Sequence, residues 1–138
     1  MMEVDVMTET GPVQMPFGAY HKRDVPAHDP ELTEVQPGSP MGEYMRRFWH
    51  PVCLSEELTD VPKLIRILGE DLVAFRDRSG RIGVLQRHCS HRGTSLEYGI
   101  IQPKGIRCCY HGWVYDIDGT ILEMPTEPEG SRIYDTVV

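Results

Sequence analysis

Between Val52 and Met124 apolar and polar residues alternate in short runs, the period-two pattern of half-buried strands. Lys63-Leu64-Ile65-Arg66-Ile67-Leu68 and Leu72-Val73-Ala74-Phe75-Arg76 predict two strands around a turn at Gly69-Glu70-Asp71. A second turn, Arg76-Asp77-Arg78-Ser79-Gly80, leads to a strand from Arg81 to about Gln86. Gly105-Ile106-Arg107-Cys108 reads as a further short strand. The runs 113–116 and 120–123 predict a hairpin across Ile117-Asp118-Gly119, where Asp-Gly is a strong turn signal. Many short strands with frequent turns predict an all-β fold, a small antiparallel β-sandwich or barrel.

The period changes once. Ser39-Pro40 is a helix start, with Ser39 as N-cap and Pro40 at the first helical position. One short N-terminal helix is predicted from Pro40 to about Phe48, with Met41, Met45 and Phe48 on one face. Pro51 bars its smooth continuation. Residues 1–37 carry five prolines (Pro12, Pro16, Pro26, Pro30, Pro37) and little apolar periodicity, and read as an extended or partly disordered arm. His21 and His28 in that arm read as solvated side chains. The folded domain is predicted over 38–128, and 129–138 as the start of a linker.

Two stretches interrupt the sheet pattern with chemistry. Cys89-Ser90-His91-Arg92-Gly93 and Cys108-Cys109-Tyr110-His111-Gly112-Trp113 each offer one thiolate and one imidazole, with the spacing C-x-H-x16-C-x2-H. Facing each other, such loops supply two sulfurs and two ring nitrogens to one inorganic object. A two-iron, two-sulfide centre in which two Cys hold one iron and two His the other meets this arrangement ligand by ligand. Cys89 and Cys108 are then assigned to one iron, His91 and His111 to the other. The alternative is a single zinc with two sulfur and two nitrogen ligands, although zinc fingers pair their cysteines and histidines at other spacings. Cys109 reads as an inert buried thiol, Cys53 as a core residue, and His50 and His88 as structural. Trp113 reads as core packing that also covers the site. Gly93 and Gly112 read as positions where the backbone approaches the cofactor closely.

Charge and composition narrow the partners. The formal charge of −7 is uneven: seven acids and two bases over residues 1–38 (net −5), fourteen acids and twelve bases over 39–138 (net −2). Without a basic stripe the chain is a poor nucleic-acid binder. It has no run of about 18 apolar residues and so no membrane span is predicted. Its start lacks the basic and apolar regions of a signal peptide. Metal binding in a reducing cytoplasm is the reading for the four cysteines.

From about Gly38 to Pro128 the chain resembles the Rieske domain of aromatic-ring-hydroxylating oxygenases, the phthalate-dioxygenase-like branch in particular. Met41-Gly42-Glu43, Arg47-Phe48-Trp49-His50-Pro51-Val52, Leu68–Asp77, His91-Arg92-Gly93 and Tyr110-His111-Gly112-Trp113 carry the resemblance. It implies a Rieske-type fold with a two-loop cluster-binding subdomain, and a [2Fe–2S] cluster on Cys89, His91, Cys108 and His111. Ser90 stands where relatives commonly have proline, a change expected to soften the loop slightly. High-potential respiratory relatives have cysteines at the positions of Thr94 and Tyr110 and a serine donor at Trp113. Lacking these, the site is expected to have few hydroxyl donors to its sulfurs and a lower potential. The imidazoles are expected outermost, as the exit for electrons.

The resemblance also implies a second, oxygen-activating iron held by two histidines and a carboxylate. No histidine follows His111, and none in the chain has an acid three residues before it. The expected function is therefore one-electron relay for an oxygenase whose catalytic domain lies outside this chain. A flavin- or ferredoxin-type reductase would be the donor and the catalytic domain the acceptor, in a homotrimer if the full oxygenase assembles. The alternative is a free-standing Rieske-type ferredoxin.

Overall fold

The structure, a computed structural model, describes residues 27–128, 130, 131 and 133. Residues 1–26 of the arm predicted over 1–37, His21 among them, and most of the 129–138 linker lie outside the described residues. Within 27–37 the chain is not wholly irregular. It forms α1 (Pro30–Thr33), with the Asp29 side chain accepting from the Glu31 amide. α2 spans Pro40–Met45, and Ser39 Oγ accepts from the Gly42 amide as the cap requires.

α2 ends three residues earlier than its periodicity suggests. Arg47 and Phe48 bond back to Tyr44 and Met45 as tight turns, and Phe48 is 53% exposed, so the apolar face stops at Met45. The Arg46 guanidinium turns away to donate to the carbonyls of Leu68 and Val35, which ties the helix end to the sheet.

Among the described residues seven strands follow in two antiparallel sheets. The first contains β1 (Lys63–Ile67), β2 (Glu70–Arg76) and β3 (Ile82–Gln86) in the order β1-β2-β3. The second contains β4 (Ile100–Ile101), β5 (Ile106–Arg107), β6 (Val114–Tyr115) and β7 (Ile121–Glu123) in sequence order. The mostly β, antiparallel architecture is the one the alternation predicts. The first turn is tighter than expected: Ile67 pairs with Glu70, leaving only Leu68 and Gly69 between the strands. Both adopt positive φ, 48° and 80°, which matches the twist of the flanking strands. β4 is too short for periodicity to reveal.

β2 explains why the two sheets stay together. Val73 and Phe75 face one way, into a core with Leu96, Ile101, Ile106, Trp113, Tyr115 and Met124. Ala74 faces the other way, into a smaller cluster with Leu58 and Ile65, against which Cys53 packs partly buried. Cys89 and Cys108 belong to the larger core, so the candidate site is built on the main hydrophobic interior.

A buried carboxylate links the turns of both sheets. The Asp77 side chain is fully buried. It accepts from the Ser79 amide and hydroxyl, from the Arg81 amide and guanidinium, and from the Gly105 amide. Arg81 bridges onward to Asp116 at 2.7 Å. The β2–β3, β4–β5 and β6–β7 connections thus meet at one ionic centre.

Candidate metal centre

The two interruptions seen in the sequence are two tips with the same wiring. In the first, the Cys89 amide donates to the Thr94 carbonyl (2.9 Å) and the Gly93 amide to the Cys89 carbonyl (2.8 Å). In the second, the Cys108 amide donates to the Trp113 carbonyl (2.8 Å) and the Gly112 amide to the Cys108 carbonyl (3.2 Å). Each cysteine therefore bonds to residues four and five positions on. Gly93 and Gly112 occupy equivalent places with φ of 70° and 78°. Left-handed backbone requires glycine at both places, and at Gly112 a Cβ would also come within 3.1 Å of the Pro125 ring.

Each tip is braced from below. The Gly93 carbonyl accepts from His88 Nδ1 (2.9 Å), and Arg87 bonds Ser95 and Glu97 across the base of the loop. The Gly112 carbonyl accepts from Arg107 (2.9 Å), which also pairs with Glu123. His88 thus has the structural role expected of it, and His50 another, with its Nε2 2.8 Å from the Met45 carbonyl oxygen.

The four sequence-predicted residues meet as two pairs, sulfur with sulfur and imidazole with imidazole. Cys89 and Cys108 are each 3% exposed. Their thiols interact with each other and form no disulfide. The His91 and His111 rings stand edge to face with centroids 4.6 Å apart. Both are half-buried, so sulfurs lie inside and imidazoles outside. Trp113 lies flat on His91, its centroid 4.8 Å away and the planes 4° apart, and its indole N–H donates to Thr126. Tyr110, 61% exposed, leans on the other ring with centroids 3.8 Å apart.

One atom shows what is wanted here. His91 Nδ1 is buried without a hydrogen-bond partner among the described residues. An orphaned buried ring nitrogen costs about 1–3 kcal/mol unless something accepts its lone pair or proton. Burial pushes the Cys108 thiol up, and the neighbouring Cys89 adds to the rise against the local backbone amides. The Cys108 thiol, raised in this way, resists becoming a thiolate without a cation beside it. Partial burial, with His91 and Arg92 beside it, pushes His111 below its ordinary value and favours the neutral, ligating imidazole. Among the described residues no three His, Cys, Asp or Glu side chains close on a point suited to one metal ion. A sulfur pair beside a nitrogen pair does suit a two-iron cluster, in which each iron takes two protein ligands. The residues fit that group.

One expectation needs correction. Cys109 is exposed, not buried: Cys108 turns into the core and its neighbour faces solvent. One hydroxyl does reach a sulfur. Tyr115 Oη lies 3.0 Å from Cys89 Sγ and 2.9 Å from Ser90 Oγ. Tyr115 sits two places after Trp113, which immediately precedes β6, and both side chains belong to the larger core. That spacing was present in the sequence.

A family model, the Rieske [2Fe-2S] domain, matches residues 48–135. The tert-butanol monooxygenase / tert-amyl alcohol desaturase oxygenase subunit of Aquincola tertiaricarbonis is 60% identical over 124 residues, 88% of this chain and 26% of that protein. The phenoxybenzoate dioxygenase subunit alpha of Ectopseudomonas oleovorans is 60% identical over 107 residues, 77% of this chain and 26% of that protein. The crystal structure of dicamba monooxygenase bound to dicamba superposes with a TM-score of 0.56 at 32% identity, over 59% of this chain and 26% of that one. The chain spans about a quarter of the length of the curated relatives it matches.

Proposed function

The chain belongs to the Rieske [2Fe-2S] domain family, whose cofactor is a [2Fe–2S] cluster, and from that premise we propose that Cys89 and Cys108 hold one iron and His91 and His111 the other. The observation that carries the assignment is the juxtaposition of two buried thiols and two imidazoles on equivalently bonded tips, with His91 Nδ1 left unpartnered. We take 38–128 as the cluster-carrying unit.

The function that follows is one-electron relay within an oxygenase that hydroxylates or demethylates an aromatic compound. A flavin- or ferredoxin-type reductase is the donor, and an oxygen-activating iron in a separate catalytic domain is the acceptor, the whole acting in the cytoplasm as a homotrimer. The relatives' names support the oxygenase setting over a free-standing ferredoxin. Substrate choice is assigned to the catalytic domain. Two relatives equally similar over this stretch, at 60%, are named for substrates as unlike as tert-butanol and phenoxybenzoate. Among the described residues no helix is long and apolar enough to cross a membrane.

When bound, the cluster supplies a reversible one-electron couple. The chain does the rest. Cys89 and Cys108 keep the sulfur side in the dry core, and Trp113 shields one face of His91. The half-buried His111 edge, under the exposed Tyr110 ring, is the exit toward a partner. With Cys89 as a thiolate ligand, Tyr115 must donate to it. Such a bond strengthens as the sulfur gains negative charge and so favours the reduced state.

Two measurements test this reading. A redox titration of the purified chain is expected to show a fully reversible step with a one-electron slope and one electron recovered per chain. A two-electron step, or no step, overturns the relay. Replacing Tyr115 by Phe is expected to lower the midpoint potential with the cluster retained. A bond worth about 1 kcal/mol more in the reduced state corresponds to roughly 40 mV, at 1.4 kcal/mol and 59 mV per tenfold. An unchanged potential would show that the hydroxyl does not bond to the sulfur.

A further inference from the structure

Ser90 lies between two proposed ligands, yet its side chain reaches away from the loop. Its Oγ is 2.9 Å from Tyr115 Oη, and that oxygen is in turn 3.0 Å from Cys89 Sγ. Tyr115 is 5% exposed, with its ring in the main core, so water contributes little to this phenol. A phenol has one proton to give and can accept from a neighbour, and a serine hydroxyl can do either. Geometry alone leaves the direction of both bonds open. Chemistry closes it once Cys89 is a metal-bound thiolate, which has no proton to donate. Tyr115 must then spend its proton on Sγ, and the Ser90 hydroxyl must donate to Tyr115.

We propose that Ser90 is a positioning residue for the electron-transfer step: its hydroxyl donates to Tyr115, turns the phenol proton onto Cys89 Sγ, and thereby raises the reduction potential. The inference rests on Cys89 being a ligand. Hydrogen bonds in series polarise one another, so the first bond strengthens the second. Without Ser90 the phenol oxygen loses its donor, and the bond from the phenol to the sulfur is no longer strengthened by it. The step adds one electron and moves no proton; the two bonds only shorten as negative charge grows on Sγ. The effect is carried by a side chain outside the proposed ligand set, through a buried core residue. Ser90 and Tyr115 also line one open cleft of about 410 Å³ with His88 and Leu96, which leaves room for the Ser90 rotamer to change.

The test is a double-mutant cycle on the cluster-loaded chain, read by midpoint potential. Ser90→Ala is expected to lower the ratio of reduced to oxidised protein at a fixed potential by about two- to fivefold, roughly 20–40 mV at 59 mV per tenfold. Ser90→Thr, which keeps a hydroxyl, is expected to restore the wild-type value. In the Tyr115→Phe background the same Ser90→Ala change is expected to shift the potential by less than half as much. An unchanged potential in Ser90→Ala, or an equal shift in both backgrounds, overturns the proposal. Should Ser90→Ala not retain its cluster, Ser90→Gly carries the same expectation. Iron and sulfide content of every variant separates the two readings. A wild-type chain without two irons refutes the ligand assignment, whereas loaded variants with unmoved potentials refute only the role of Ser90.

Discussion

Replacing Cys108 by Ser is expected to yield a chain with less than about a tenth of the wild-type iron, while Cys109→Ser keeps it all. The two residues are neighbours with the same side chain, so the contrast isolates position. Cys108 is 3% exposed, in the core and beside Cys89, whereas Cys109 faces solvent. Iron–sulfur clusters are held by thiolates, and a serine hydroxyl, hard and protonated at neutral pH, does not replace one. Nothing else in the second tip can. His111 is assigned to the other iron in the proposed arrangement, and Cys109 would have to turn inward against the closure formed by the Cys108 amide and the Trp113 carbonyl. Iron and acid-labile sulfide assays on the two purified variants decide the matter. The opposite pattern, iron lost with Cys109 and kept with Cys108, would move the ligand by one position and reopen the loop geometry.

Asp77→Ala is expected to destabilise the domain by about 2–4 kcal/mol, because several buried or half-buried donors lose their acceptor at about 1–3 kcal/mol each. Against a total of about 5–15 kcal/mol for a domain of this size, that is a large fraction. Six hydrogen bonds converge on this carboxylate, and its loss strands the Gly105 amide and leaves Arg81 with Asp116 as its remaining carboxylate partner. The dependence on pH has a definite sign. Burial alone pushes the Asp77 carboxyl up, but bonds from Ser79, Arg81 and Gly105 together outweigh it and hold the group well below the usual carboxylate range. The unfolded chain therefore takes up this proton first as pH falls. The stabilisation is complete well above pH 4, roughly the unfolded value, and is lost progressively below it toward the depressed folded value. Urea unfolding of wild type and Asp77→Asn is expected to show a gap that is constant from about pH 7 to 5 and narrows by roughly 1 kcal/mol by about pH 3. A gap that widens on acidification would mean that the carboxyl is not ionised in the folded protein.

Much of this was legible in the residues, for physical reasons that differ by element. β1 and β3 are half-buried strands, so their alternation survives in the sequence, whereas β2 is buried on both faces and reads as the apolar run Val73-Ala74-Phe75. The Ser39 cap works through local bonds, and local bonds leave local signatures. The four candidate ligands stood out because soft and imidazole donors at that spacing have few other uses. What escaped depends on contacts across long sequence distances. Asp77 reads as one polar residue in a turn until Gly105 and Asp116 arrive beside it. Ser90 reads as a spacer until Tyr115, 25 residues away, meets its hydroxyl. Phe48 fits a helical face that Arg46 ends early by bonding to Leu68 across the fold. Cys109 seemed inert because burial was inferred from residue type alone, whereas the turn at Cys108 decides which way each side chain faces.

The most direct measurement is a Mössbauer spectrum of the chain loaded with isotopically enriched iron and held oxidised, taken together with its iron and sulfide content. About two irons and two sulfides per chain are expected, with two doublets of equal area and different isomer shifts, one iron bound only by sulfur and the other by sulfur and imidazole. A single doublet, or a colourless chain carrying one zinc after growth on abundant iron, would contradict the assignment of Cys89, His91, Cys108 and His111.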